Sequence, residues 1–164
     1  MNLFILRHGK AEKSSDGIPD AARSLTRDGK EEVKKVAKWL KRNNIGFDAI
    51  ASSPLKRARE TAKIVASVLD QKDRLVVWDE LAPGGDLDTV CYHASGYGEN
   101  ASVIVIGHEP GLSMLISKIT GDTREGTFGL AKAGLAKIRN FSYTRRPSGN
   151  IQWLLTPKSM KDEQ

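Results

Sequence analysis

Arginine and histidine side chains stand at the ends of predicted strands in this sequence. Arg7 and His8 follow an apolar run near the start of the chain, and His108 follows the β-branched run VIVIG. Arg57 falls in the first turn of a predicted helix. Cationic side chains repel one another, so such a group is stable mainly around an anion. Arginine offers a planar pair of donors that matches two phosphate oxygens, and we therefore expect a phosphate site.

His8 adds a possible reaction to this predicted phosphate site. A neutral imidazole has a free nitrogen lone pair at neutral pH and can attack phosphorus to form a phosphohistidine. Arg7 and Arg57 would then neutralise the phosphoryl oxygens, and His108 would donate a hydrogen bond to them. The residue types therefore predict phosphoryl transfer as well as phosphate binding.

Alternating strands and helices would bring these residues together. We predict an α/β fold with three α/β/α layers, in which a mostly parallel central sheet ends in a C-terminal antiparallel hairpin. Ligands of such sheets bind outside the carboxyl ends of the strands. The patterns predict strands over 2–7, 47–52, 74–80 and 101–107. They predict helices from Thr26 toward Gly46, over 54–70 with Ser53 as N-cap, over 86–95, and from 111 to about 119. The two strands of the hairpin are predicted over 134–141 and 149–156.

Four separated motifs resemble those of the histidine phosphatase superfamily. They are Arg7-His8-Gly9, SLTRDG at 24–29, SSPLKRARETA at 52–62 and IGHEPG at 106–111. The resemblance spans nearly the whole chain. LAPGGD, GHEPGLS and IQWLLTP are most similar to the SixA-type phosphohistidine phosphatases within that superfamily.

The resemblance implies roles for individual residues. His8 would be the nucleophile, and phosphate would be bound by Arg7, Gly9, Arg57 and His108. Periodicity alone does not choose between Arg57 and Arg59, and the motif position selects Arg57. The implied reaction is metal-independent and needs no cofactor.

The acid that would protonate the leaving group is less clearly indicated. Glu80 after the third strand is our candidate, and Asp86 and Glu109 are alternatives. Each also has a structural explanation: Glu80 as a solvated strand end, Asp86 as a helix cap, and Glu109 as a residue held extended by the following proline. A site without a strong acid would favour a phosphoramidate such as phosphohistidine, which has the better leaving group.

These observations predict a phosphatase that acts on phosphohistidine of a protein partner, such as a histidine phosphotransfer domain. No long insertion separates residues 81 and 100, so we expect an open rim. One alternative is a phosphatase or mutase that acts on small phosphorylated metabolites. Another is a basic module that binds phosphorylated or nucleic-acid partners without catalysis.

Composition limits the class of protein and its partners. The 164 residues include 26 Lys and Arg against 20 Asp and Glu, a net charge of +6 that favours acidic partners. The basic residues alternate with acidic ones and only 6% of residues are aromatic, so we do not expect nucleic-acid binding. With three histidines and one cysteine, a metal site is not expected either.

Organisation and location are read from the same sequence. We expect a single domain over 1–158 and a frayed tail over 159–164. Cys91 is the one cysteine, which rules out an internal disulfide and favours a reducing compartment.

No secretory signal and no apolar run of about 20 residues is present, so we expect a cytoplasmic protein without a membrane anchor. The sequence leaves the oligomeric state open.

Overall fold

A six-stranded sheet forms the centre of the protein in the computed structural model, which describes residues 1–15, 17–124 and 128–161. The strands lie in the order β3-β2-β4-β1-β5-β6. They are β1 (Asn2–Arg7), β2 (Ala49–Ser52), β3 (Leu75–Val77), β4 (Ser102–Gly107), β5 (Leu135–Tyr143) and β6 (Pro147–Leu155). The longer helices are α1 (Arg27–Arg42), α2 (Lys56–Val68), α3 (Leu87–Ser95) and α4 (Gly111–Thr120).

The strand directions confirm the predicted fold class. β1 to β4 are mutually parallel, and the C-terminal hairpin of β5 and β6 joins β1 in antiparallel orientation. Residues of β1 alternate between the two faces of the sheet: Leu3 and Ile5 pack with α3 and α4, whereas Phe4 and Leu6 pack with α1 and α2. Both faces are therefore covered by helices, and the carboxyl ends of the parallel strands share one edge.

Two local details differ from the sequence-based expectation. α2 begins at Lys56 with Leu55 in the capping position, so Ser53 is not its N-cap. The Ser53 N–H continues the sheet by donating to the Ile106 carbonyl at 2.9 Å, which keeps the chain extended beyond β2. The third strand is also shorter than predicted, because a 3₁₀ turn, Asp79–Leu81, follows it.

The predicted cap of α1 is confirmed, since the Thr26 hydroxyl accepts a hydrogen bond from the Gly29 N–H at 3.0 Å. At the other end of the chain a 3₁₀ turn over Pro157–Ser159 precedes Met160, which is fully buried against the face of the sheet that α1 and α2 cover. The remainder of the predicted tail, residues 162–164, lies outside the described residues. In the described part of the chain, none of the helices combines the length and apolar character that a membrane-crossing segment requires.

Candidate active site

Strand register brings the two histidines of the motifs together. Arg7 of β1 pairs with Gly107 of β4, so His8 and His108 follow at equivalent positions of adjacent parallel strands. Their ring centroids lie 5.0 Å apart, and both side chains are buried. The pair therefore lies at the carboxyl edge of the sheet, as the sequence predicts.

Hydrogen bonding defines which nitrogen of His8 is unprotonated. His8 Nδ1 lies 2.7 Å from the Gly9 carbonyl oxygen. A carbonyl oxygen only accepts hydrogen bonds, so Nδ1 must carry the proton and Nε2 the lone pair. Arg57 Nε–H points to that lone pair, with a nitrogen–nitrogen distance of 3.4 Å. His8 thus presents an unprotonated Nε2 beside a guanidinium group.

Burial keeps both imidazoles neutral near pH 7. It lowers the pKa of His8 to about 4; the hydrogen bond to Gly9 opposes this shift, and the positive charges of Arg57 and Arg7 add to it. Burial likewise lowers the pKa of His108 to about 3, with further contributions from His8 and Arg57. A neutral His8 is the form that can act as a nucleophile.

Arg57 is held on several sides. As the second residue of α2 it extends into the site, where its side chain is 5% exposed. Its Nη1 donates to the Asp20 carbonyl oxygen at 2.9 Å, and its Nη2 lies 3.3 Å from Asp20 Oδ2. Burial lowers the pKa of Arg57, and the Asp20 carboxylate opposes that shift. The guanidinium group therefore has a defined orientation beside His8.

Gly9 is required by close packing. A β-carbon at this position would lie 2.8 Å from Val33 Cγ2 and 3.0 Å from the Gly29 carbonyl oxygen. The Gly9 N–H donates to the Thr61 hydroxyl, which itself donates to the Arg57 carbonyl oxygen. Thr61 thereby connects the His8 segment to the helix that carries Arg57.

Two buried nitrogens at the site, Arg7 Nε and His108 Nδ1, have no hydrogen-bond partner among the described residues. The rest of each side chain is anchored: Arg7 Nη1 donates to the Leu130 carbonyl oxygen, and His108 Nε2 lies 2.7 Å from the Ser53 hydroxyl. Unpaired buried polar atoms are costly, so these two are candidates to contact a ligand once neighbouring side chains move to admit it.

The three candidate acids occupy different surroundings. Glu80 is half-buried and lines a cavity of about 240 Å³ together with His108. Asp86 instead caps α3 by accepting from the N–H groups of Asp88 and Thr89. Glu109 also lines the cavity, but its carboxylate is bonded to the N–H and hydroxyl of Ser113. Glu80 differs from the other two because its carboxylate makes no hydrogen bond or ion pair with a described residue.

Sequence reasoning missed three contributors to this site. The sequence analysis assigns no role to Asp20 or Arg23, but Arg23 binds the Asp20 carboxylate that contacts Arg57. Thr61 falls in the predicted helix 54–70, where the sequence gives it no separate role. Its position four residues after Arg57 was the available signal, because a threonine hydroxyl often bonds the carbonyl one turn earlier.

The site contains no candidate metal cluster within the described ranges: no group of three or more His, Cys, Asp or Glu side chains there could hold an ion. The donors gathered around His8 are guanidinium, imidazole and backbone groups, which suit an oxyanion.

Comparison with known proteins agrees with this arrangement. The family model of the histidine phosphatase superfamily, branch 1, matches residues 3–83. Phosphohistidine phosphatase SixA of Escherichia coli K12 is 28% identical over 98% of this chain and 97% of the relative. An uncharacterised protein of Picosynechococcus is 32% identical over 85% of this chain and 86% of the relative.

A solved structure shows the same similarity in three dimensions. The protein histidine phosphatase SixA complexed with tungstate superimposes with a TM-score of 0.84 at 28% identity, covering 98% of this chain and all of the other. Fold, strand-end histidines and sequence relatives agree, and the chain belongs to the histidine phosphatase superfamily and is a phosphatase.

Proposed function

We propose that this phosphatase removes phosphate from phosphohistidine on a protein partner, by way of a phosphohistidine intermediate on its own His8. The observation that carries the proposal is the pairing of the unprotonated His8 Nε2 with Arg57 Nε at 3.4 Å. A nucleophile and a transition-state donor are thereby adjacent and already oriented.

In the first step, the Arg57 Nε–H leaves the His8 Nε2 lone pair for a phosphoryl oxygen, Nε2 attacks phosphorus, and the bond from phosphorus to the leaving group breaks. The leaving group takes the electron pair of that bond and a proton, which Glu80 or water supplies. Arg57 stabilises the charge that develops on the phosphoryl oxygens, and Arg7 Nε is a further donor for them. The step leaves the phosphoryl group on His8.

His108 supports the same step when the Ser53 hydroxyl donates to its Nε2. The proton of a neutral His108 then resides on Nδ1, the nitrogen without a protein partner, and is available to a phosphoryl oxygen. In the second step, water attacks the phosphorus of phospho-His8. Inorganic phosphate leaves, a proton is released, and the neutral imidazole is restored.

One observation supports phosphohistidine as the substrate. The relatives with near-complete coverage include the phosphohistidine phosphatase SixA of E. coli. Asp86 and Glu109 are engaged elsewhere, so Glu80 is the remaining candidate acid, and its presence would also allow hydrolysis of a phosphate ester. Phosphohistidine has a weak P–N bond and depends less on an acid than a phosphate ester does.

A second candidate substrate class is small phosphorylated metabolites. The cavity beside His108 is lined largely by apolar side chains, with Glu80 at its edge, and could hold a compact organic group. A yeast relative described as a broad-specificity phosphatase is 36% identical, over 40% of this chain. This second candidate depends on a shorter match than the first.

The test is to trap the intermediate. The protein is mixed with a ³²P-labelled histidine phosphotransfer protein, quenched in base, which preserves phosphohistidine, and digested to map the label. We expect label on His8 that is lost in acid, and no label or phosphate release after His8→Ala.

His93→Ala is the matched control, because His93 is an exposed histidine on α3. It should form the intermediate at the wild-type rate. Full phosphate release by His8→Ala, or label on another residue, would contradict the nucleophile assignment. Faster turnover of sugar or glycerate phosphates than of the phosphoprotein would favour the second substrate class.

A further inference from the structure

Asp20 contacts Arg57 through both its backbone and its side chain. Its carbonyl oxygen accepts from Arg57 Nη1 at 2.9 Å, and its Oδ2 lies 3.3 Å from Arg57 Nη2. Its other carboxylate oxygen accepts from Arg23 Nε at 2.9 Å. One residue of the loop after the RHG motif is thus bonded to the phosphate-site arginine by two groups.

These contacts occupy one edge of the Arg57 guanidinium group. Asp20 takes the edge formed by Nη1 and Nη2, while Nε, on the adjacent edge, faces His8 Nε2. A guanidinium group is planar and rigid, so holding one edge sets the direction of the other. The edge that faces His8 is the one that must meet the phosphoryl group.

Two simpler roles explain Asp20 less well. As a proton donor it would have to be protonated, but its hydrogen bond with Arg23 lowers its pKa, and the charge of Arg57 adds to this. As a structural anchor it would have to bury surface, but its side chain is 58% exposed and the 3₁₀ turn Asp20–Ala22 buries no residue. Exposed ion pairs contribute little to stability.

We infer that Asp20 is a positioning residue for phosphoryl transfer, which acts by holding Arg57 so that its Nε edge faces the nucleophile. This inference rests on the proposed function for its effect on turnover. Arg23 is the second anchor, because it fixes the Asp20 carboxylate through Nε and through Nη2 at 2.8 Å. A loop residue that contacts no reacting atom would thereby control the rate.

Kinetics of Asp20 variants provide the first test. Loss of orientation by a fraction of an ångström should lower kcat about tenfold in Asp20→Ala, with a KM change below about twofold. Both variants keep the backbone contact, and Asp20→Asn also keeps an acceptor oxygen on its side chain, so it should lose less. Asp73→Ala is the matched control, since Asp73 is an exposed acid paired with Arg74, and it should behave as wild type.

A double-mutant cycle separates positioning from a structural effect. If Asp20 acts through Arg57, Asp20→Ala should cause no further loss of kcat in the Arg57→Ala background. An equal loss in both backgrounds, or an unchanged kcat in the single variant, would overturn the inference. The melting temperature of Asp20→Ala should change little, because the Asp20 side chain is 58% exposed and its turn buries no residue.

A readout without turnover distinguishes failure of this inference from failure of the proposed function. The ¹⁵N–¹H signal of Arg57 Nε, assigned by its absence in Arg57→Lys, should be sharp and slowly exchanging in the wild type. It should broaden in Asp20→Ala and persist in Asp73→Ala. An unchanged signal overturns the positioning role, whereas a wild type inactive on phosphoproteins would count against the proposed function alone.

Discussion

The two sides of the phosphate site are built differently. On the nucleophile side, His8 and Arg57 have bonded partners in Gly9 and Asp20. On the opposite side, His108 Nδ1 and the Glu80 carboxylate have no bonds to described residues, and both residues line the cavity. Hydrogen bonds are therefore concentrated around His8 Nε2, the proposed attacking nitrogen, and fewer are made on the side proposed for the leaving group.

This difference indicates which part of the site geometry the protein fixes before substrate binds. The attack geometry is the same for every substrate, so hydrogen bonds can fix it before binding. The leaving group differs between substrates, and its surroundings are completed by the substrate itself. Substitutions on the nucleophile side should therefore affect all substrates alike, whereas those on the cavity side should discriminate between them.

The largest expected effect concerns the nucleophile side. Arg57→Ala should lower kcat roughly 100- to 1000-fold, because one oriented transition-state donor is removed. The loss should be equal for a phosphohistidine protein and for a small phosphomonoester, measured as phosphate release. Arg59→Ala, two residues further along α2 and exposed, is the control that should remain active. A loss confined to one substrate would break the proposed distinction between the two sides.

A smaller and selective effect is expected on the cavity side. Glu80→Gln should slow hydrolysis of an alkyl phosphomonoester about 100-fold, because an alkoxide leaving group needs a proton donor. Turnover of phosphohistidine should change by less than about threefold, since its leaving group depends less on an acid. Asp86→Asn serves as the control. Equal losses on both substrates would assign Glu80 a role unrelated to the leaving group.

The smallest expected effect is shared by both sides and concerns stability. Unfolded histidine takes up a proton near pH 6.5, whereas folded His8 does so near pH 4, so the unfolded state binds more protons between these values. The free energy of unfolding should therefore fall as pH drops through this window, by about 2 kcal/mol from His8 between pH 7 and pH 5. His108 should act in the same direction.

Denaturant titrations of the wild type and of His8→Gln at several pH values check this expectation. The variant should lose part of the pH dependence, because glutamine does not titrate. A wild type whose stability is the same at pH 7 and pH 5 would show that the buried imidazoles do not differ in proton affinity from those of the unfolded chain.

Sequence patterns were sufficient wherever a site residue adjoins a buried strand. β1 and β4 are continuous apolar runs with distinct ends, so the positions of His8 and His108 follow from the strands themselves. Arg57 was also predictable, but by its motif and not by periodicity. Its role, like those of His8 and His108, stays a prediction until the variants are measured.

Contacts between distant segments could not be predicted in this way. Asp20 lies 37 residues from Arg57 in the chain, and no local pattern pairs them. Ser53 shows a related limit, because a serine before proline is a typical helix cap. Its bonds to Ile106 and His108 keep it in the sheet and the site instead, and the helix begins three residues later.

The parallel pairing of β1 with β4 also sets the distance between the two histidines. Neighbouring strands are spaced about 4.8 Å apart, and the imidazole centroids that follow them are 5.0 Å apart. Inserting or deleting one aliphatic residue in either strand would turn its histidine to the opposite face. Such a change should abolish activity while every residue of the site is retained, so the length of the buried strands is itself under functional constraint.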